Sequence, residues 1–285
     1  MLKPLKIRDK LFNWEEGPFF MGILNVTPDS FSDGGRYLDV EKALLQAERL
    51  LQEGADIIDV GGESTRPFAD PVSEEEELKR VIPVIRELRK NFPQAIISID
   101  TYKARVAELA LKEGADIVND ISALRFDNRM VDVVKDFNCP VIIMHMQGTP
   151  KTMQISPTYH DVVREVKEFL HQRKDYLISQ GISEEKIIID PGIGFGKTFE
   201  HNLTLLRNLS SFKELGSPIL IGASRKGFIG EIIKKPPYER DAGTAGVTLW
   251  CYLQGVNIFR VHNVSINKDA LVVFKTLQGR KICLP

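Results

Sequence analysis

Three consecutive isoleucines, Ile187-Ile188-Ile189, end on a carboxylate, Asp190. A run this apolar without alternation reads as a strand buried on both faces, which requires a parallel sheet covered by helices. Pro191 and Gly192 stop the strand, and Gly192, Gly194 and Gly196 make a loop that can lie close to a ligand. Asp190 could be no more than a turn-capping aspartate, but its place at the C-terminal mouth of a buried strand also suits a binding role. The tail Gly196-Lys197-Thr198 invites a phosphate-loop reading. That motif needs a glycine five residues before Gly196, where Pro191 stands, so the reading fails.

The same pattern repeats along the chain. Apolar strands are expected at Phe19–Val26, Ile57–Val60, Ile96–Asp100, Ile117–Asn119, Val141–Met144, Ile187–Asp190, Ile219–Gly222 and Ile258–Val261. Helical spacing lies between them, for example at Val40, Ala43, Leu44, Ala47, Leu50 and Leu51, with Gly54 as C-cap. Ser73 caps an acidic first turn leading through Leu88. Further helices are expected at 103–113, 130–137, 162–177, 203–215, 241–254 and 265–277. A weak repeat, Glu53-Gly54-Ala55-Asp56-Ile57 and Glu113-Gly114-Ala115-Asp116-Ile117, marks two equivalent helix-to-strand junctions. Eight strand–helix units predict an α/β fold, a (β/α)8 TIM barrel, and residues 1–285 are read as one domain. Residues before about Phe19 are left over, as a short N-terminal strand or hairpin closing the barrel bottom.

Bulk properties narrow the function classes. The net charge of −1 offers no basic field for nucleic acid or a membrane surface. No run approaches a membrane span and the start does not resemble a signal peptide, so a soluble cytoplasmic protein is expected. Three cysteines make no disulfide framework, and Cys139 and Cys251 sit in apolar contexts as core residues. Five histidines show no zinc spacing.

Barrel chemistry belongs at the C-terminal strand ends. Those ends read Asn25, Asp59, Asp100, Asn119, His145, Asp190, the Ser224-Arg225-Lys226 turn, Arg260 and His262. Any one of them could be a turn or packing residue, Asp59 before Gly61-Gly62 above all, but polar residues ending nearly every strand are hard to explain that way. Asp100, Asn119 and Asp190 suit a flat heterocycle with several N–H donors. Lys226, Arg66, Arg260 and His262, cationic or able to become so, suit a phosphate or pyrophosphate. Asn25, Asp29 and Asp33 offer oxygens for a hard cation such as Mg2+. No Ser/His/Asp or Cys/His arrangement points to covalent catalysis.

The motifs Asn25–Gly35, Gly61-Gly62-Glu63-Ser64-Thr65-Arg66-Pro67, Ser98–Thr101, Asn119–Ser122, Asp190–Lys197, Ser224-Arg225-Lys226 and Arg260–Val264, in this order, resemble those of the dihydropteroate synthases. The resemblance runs from about Phe19 to the last helix. It implies condensation of 6-hydroxymethyl-7,8-dihydropterin pyrophosphate with p-aminobenzoate in folate biosynthesis, inhibition by sulfonamides, and a homodimer. It implies pterin binding by Asp100, Asn119, Asp190 and Lys226 with Ile121, Met144 and Phe195 around it. Asn25, Arg260 and His262 would hold the pyrophosphate, with Mg2+ at Asn25 and Asp33. Phe31, Thr65, Arg66 and Pro67 would complete the p-aminobenzoate site. Asp190, Lys226, Arg260 and His262 would carry the chemistry. The residue after Lys226, often a serine touching p-aminobenzoate in such enzymes, is here Gly227. Two alternatives remain: a pterin-binding methyltransferase acting with a corrinoid protein, or a non-catalytic pterin-binding homologue. The intact loops at 25–35 and 61–67 favour neither.

Overall fold

A computed structural model describes residues 2–27 and 36–279. Its strands are β1 (Leu5–Ile7), β2 (Lys10–Phe12), β3 (Phe19–Asn25), β4 (Ile57–Gly61), β5 (Ile97–Asp100), β6 (Ile117–Asp120), β7 (Val141–Met144), β8 (Ile187–Asp190), β9 (Leu220–Ile221) and β10 (Ile258–Val261). Its α-helices are α1 (Arg36–Gln52), α2 (Glu74–Asn91), α3 (Ala104–Lys112), α4 (Met130–Asp136), α5 (Val162–Ser179), α6 (Phe199–Arg207), α7 (Gly227–Ile233), α8 (Asp241–Leu253) and α9 (Val264–Leu277). β3 to β10 form one parallel sheet in the order β8-β7-β6-β5-β4-β3-β10-β9. A parallel bridge between Ile189 and Ile219 joins its two ends, closing the expected TIM barrel.

Strand alternation sorts the interior into layers. Met21, Ile57, Ile96, Ile117, Ile142, Ile188, Leu220 and Ile258 form an apolar floor. The hairpin β1–β2 lies beneath it and packs Leu5, Ile7, Phe12 and Trp14 into the same cluster. Residues 5–14 thus close the bottom of the barrel, as the expected N-terminal hairpin. Two residues above the floor, on the same inward side, stand Asp59, Asn119, Met144, Asp190 and Arg260. Burial of the strands' outward faces against the helices supplies the main core.

The internal repeat has a physical cause. Gly54 and Gly114 adopt φ of +91° and +108°, conformations that favour glycine at a helix end. The aspartate that follows each one satisfies a backbone N–H of the neighbouring strand: Asp56 accepts from Phe20 N at 2.7 Å and Asp116 from Ile97 N at 2.9 Å. Each also ties down the hairpin, Asp56 through Lys10 and Asp116 through Arg8.

Three elements differ from expectation. The helix expected over 203–215 starts earlier and breaks. Thr198 caps α6 by accepting from His201 N, and His201 Nδ1 returns the bond to Thr198 N; a histidine there does not look like a capping box. At Asn208 the helix gives way to a 3-10 segment, Leu209–Leu215. The seventh barrel strand shortens to Leu220–Ile221, and α7 occupies a stretch read as loop.

Candidate active site

At the barrel mouth the inward residues of four strands meet in one polar network. Arg260 of β10 donates from Nε to Asp59 Oδ2 at 2.5 Å and from Nη2 to Asp100 Oδ2 at 2.7 Å. Asn119 Nδ2 donates to Asp59 Oδ2 at 3.2 Å. Asp59, ambiguous as a strand end, is the fully buried hub. Burial pushes the Asp100 carboxyl up to about 7, against the opposing pull of Arg260. Burial also works against charge on Arg260, but Asp59 and Asp100 outweigh it and hold the guanidinium protonated.

Asp190 stands beside this network. Its Oδ1 accepts from Gly192 N at 2.7 Å, which turns the chain sharply at the strand end. Burial raises its pKa, opposed first by Lys226. The same pairing is seen from the other side: burial lowers Lys226 to about 7 while Asp190 resists. Lys226 Nζ lies 4.3 Å from the centre of the Phe195 ring and bonds the Ile193 carbonyl. Ile121, Met144, Met146 and Met153, with Tyr102 and Phe195 packed on them, form an apolar cluster at the strand ends from which Asp190 and Asn119 extend. Flat apolar walls with acceptors and an amide on adjoining strands fit a nitrogen heterocycle.

The loop after β8 is keyed into the end of β7. A Cβ at Gly192 would lie 1.9 Å from the His145 carbonyl oxygen, and one at Gly196 2.6 Å from the Gln147 carbonyl oxygen. Lys197, read from sequence only as part of a failed phosphate motif, is buried behind them. Its Nζ lies 2.9 Å from His145 Nδ1 and 3.0 Å from the Phe195 carbonyl oxygen. His145 is held neutral, its pKa lowered to about 2 by burial and then by Lys197.

The third wall carries His262 and the β4 loop. His262 Nδ1 lies 2.9 Å from Ser224 Oγ. Burial, then Arg225, Arg260 and Arg66, lower its pKa to about 3. The cationic option for His262 therefore gives way to a neutral hydrogen-bonding imidazole. Arg225 is engaged by Asp241 at 2.6 and 2.8 Å and serves structure. Thr65 is half-buried, while Arg66 and Pro67 are exposed. Phe68 N donates to the Pro150 carbonyl at 3.1 Å, so this loop leans toward the one after β7. Asn25 is half-buried and on the inward side of β3. Phe31 and Asp33, with Asp29 and the rest of 28–35, lie outside the described residues. Cys139 and Cys251 are buried free thiols. No helix among the described residues is long and apolar enough to cross a membrane.

A family model described as pterin binding enzyme matches residues 21–262. The dihydropteroate synthase of Haemophilus influenzae is 49% identical over 258 residues, covering 90% of this chain and 93% of its own. The Yersinia pestis dihydropteroate synthase, solved with a sulfonamide drug complex, superposes with TM-score 0.91 at 40% identity, covering 97% of this chain and 100% of its own. The Xanthomonas albilineans enzyme, solved with 4-aminobenzoic acid, gives TM-score 0.90 at 42% identity over 100% of both chains.

Proposed function

The chain belongs to the dihydropteroate synthases, transferases of the pterin-binding enzyme family, and from that premise we propose how its barrel mouth divides the work. The reaction joins 6-hydroxymethyl-7,8-dihydropterin pyrophosphate to p-aminobenzoate, giving 7,8-dihydropteroate and pyrophosphate. The observation that carries the assignment is the apolar cluster of Ile121 and Met144, with Phe195 packed on it, beside Asp190, Asn119 and the Asp100–Arg260 pair.

The pterin lies among Ile121, Met144 and Phe195, with Asp190, Asn119 and Asp100 reading its polar edge and Lys226 closing over it. Departure of pyrophosphate breaks the methylene–oxygen bond, and the electron pair leaves with the anion. Positive charge spreads into the ring, where the Asp190 carboxylate stabilises it. Arg260 and the neutral His262 bind the departing anion by hydrogen bonds. The amine of p-aminobenzoate, held by Thr65, Arg66, Pro67 and Phe31, then attacks the methylene and loses a proton. An aromatic amine is nucleophilic without a strong base.

Mg2+ takes one or two protein oxygens and completes its shell with water and phosphate. The inward amide of Asn25 is a donor of that kind, and Asp33 is the second we assign. When bound, the ion neutralises charge on the pyrophosphate. Sulfonamides compete at the p-aminobenzoate subsite. The chain acts as one barrel over residues 1–285, in the cytoplasm, as a homodimer through the exposed apolar residues Trp250 and Leu253 of α8 and Val273 and Leu277 of α9. Following pyrophosphate release from the pterin substrate, with and without p-aminobenzoate, tests the reading. No p-aminobenzoate-dependent release would refute it.

A further inference from the structure

The loop that follows β4 starts from an unusually enclosed ionic cluster. Lys103, just before α3, bonds the carboxylates of both Glu63 and Glu77. The side chains are 14%, 6% and 1% exposed respectively. Glu77 belongs to the first turn of α2, whereas Glu63 is the residue from which the segment Ser64–Phe68 departs. Tyr102 supports the same carboxylate: its hydroxyl donates to Glu63 Oε1 at 2.7 Å. The Tyr102 ring meanwhile packs on the cluster of Ile121, Met144, Met146 and Met153.

The backbone before Glu63 is also pinned. Arg80 Nη1 donates to the Gly62 carbonyl at 2.9 Å, and a Cβ on Gly62 would lie 2.7 Å from Val81 Cγ1. Beyond Glu63 the loop turns outward, with Phe68 64% exposed. The geometry of Glu63 therefore sets the direction in which Thr65, Arg66 and Pro67 leave the barrel. An enclosed ion pair contributes little net stability compared with apolar residues of the same volume. A role in geometry accounts for it better.

We propose that Lys103 and Tyr102 are positioning residues for the p-aminobenzoate subsite: they fix Glu63 against α2 and the pterin wall, and so place Thr65–Pro67. The proposal rests on the assignment of those three residues to that subsite. Neither Lys103 nor Tyr102 needs to touch the reacting atoms.

Three variants test it: Tyr102→Phe, Lys103→Met and Lys103→Arg. Tyr102→Phe removes one hydrogen bond to a carboxylate and leaves the ring and the ion pairs, so it decides the matter even if Lys103→Met does not fold. It is expected to raise KM for p-aminobenzoate about tenfold, the equivalent of one charge-assisted hydrogen bond. Calorimetric affinity for the pterin substrate should stay within about twofold of wild type. Lys103→Met should raise the same KM at least as much, and Lys103→Arg should recover most of it. An unchanged KM in Tyr102→Phe, or a parallel loss of pterin affinity, overturns the proposal. Chymotryptic cleavage after Phe68, which is 64% exposed and followed by Ala69, gives a reading independent of turnover. It should quicken in Tyr102→Phe and Lys103→Met, and equal rates would overturn the positioning role. A wild-type enzyme that forms no dihydropteroate would instead refute the subsite assignment, with the cleavage rates still deciding whether Lys103 orders the loop.

Discussion

Arg260 Nη2 sits 2.7 Å from Asp100 Oδ2, tying the end of β10 to the end of β5 across the barrel. With Asp59 also on this guanidinium, two carboxylates share one cation inside the mouth. Arg260→Met would leave both carboxylates without it. Removing one partner of an enclosed pair costs about 3–5 kcal/mol. The sign with pH follows from Asp100, whose folded pKa of about 7 lies above its ordinary 3.8. Its contribution to stability is full below 3.8 and is lost as pH rises through about 7. Without Arg260 that pKa rises further, so the deficit of Arg260→Met should grow between pH 5 and pH 8. Urea unfolding at both values measures it; a deficit that shrinks with rising pH would contradict the pairing.

Asp190→Asn separates charge from shape. The amide oxygen can still accept from Gly192 N, so the turn should survive, but the negative charge opposite Lys226 disappears. Loss of a preorganised electrostatic partner raises a barrier by about 3 kcal/mol, or roughly a hundredfold or more in turnover. Melting temperature should change little. A folded variant with wild-type turnover would remove Asp190 from the mechanism.

His145 and His262 are both depressed from 6.5, to about 2 and about 3. Depressed values mean stability that is present above 6.5 and lost as pH falls, at about 1.4 kcal/mol per pH unit for each group. His145→Asn keeps an acceptor for Lys197 and removes one titration. The stability gap between wild type and this variant should therefore close by about 1 kcal/mol on going from pH 6.5, where half of the unfolded imidazole is already charged, to 5.5. In the wild type, neither imidazole should titrate by NMR between pH 8 and pH 5. A midpoint for His262 in that window would restore a cationic role at the pyrophosphate.

Gly227 opens α7, and a Cβ there would meet nothing within 4 Å. Gly227→Ser should therefore fold as wild type. If the added hydroxyl reaches p-aminobenzoate, affinity should improve by about 1 kcal/mol, close to fivefold. Titration of p-aminobenzoate in the presence of pyrophosphate measures this, and unchanged affinity would place the subsite away from residue 227.

Strand ends were readable because a barrel interior alternates strictly. Once Ile57, Ile117, Ile188 and Ile258 are assigned inward, Asp59, Asn119, Asp190 and Arg260 must follow on the same side. Their partners were not readable, because Arg260 meets Asp59 and Asp100 across more than 150 residues of chain. The role of Lys197 was not readable for a related reason: its Nζ meets His145, at the end of β7, across 52 residues of chain. The break at Asn208 and the short α7 leave too little periodicity to detect. The Glu63–Lys103–Glu77 cluster resembles ordinary surface charge until the first turn of α2 and the start of α3 are brought together.

The fit of Gly192 and Gly196 against the carbonyls of His145 and Gln147 bears on how this enzyme can escape inhibition. Every other residue type carries a Cβ, and at these two positions that atom would collide with main chain, which cannot rotate aside. The wall behind Asp190 thus has almost no single-step route to a new shape. The β4 loop, with Arg66, Pro67 and Phe68 facing water, has many. A compound that draws its affinity from the glycine wall would confront a surface that mutation can alter only by unfolding it. One that leans on residues 64–68 would confront a surface free to drift.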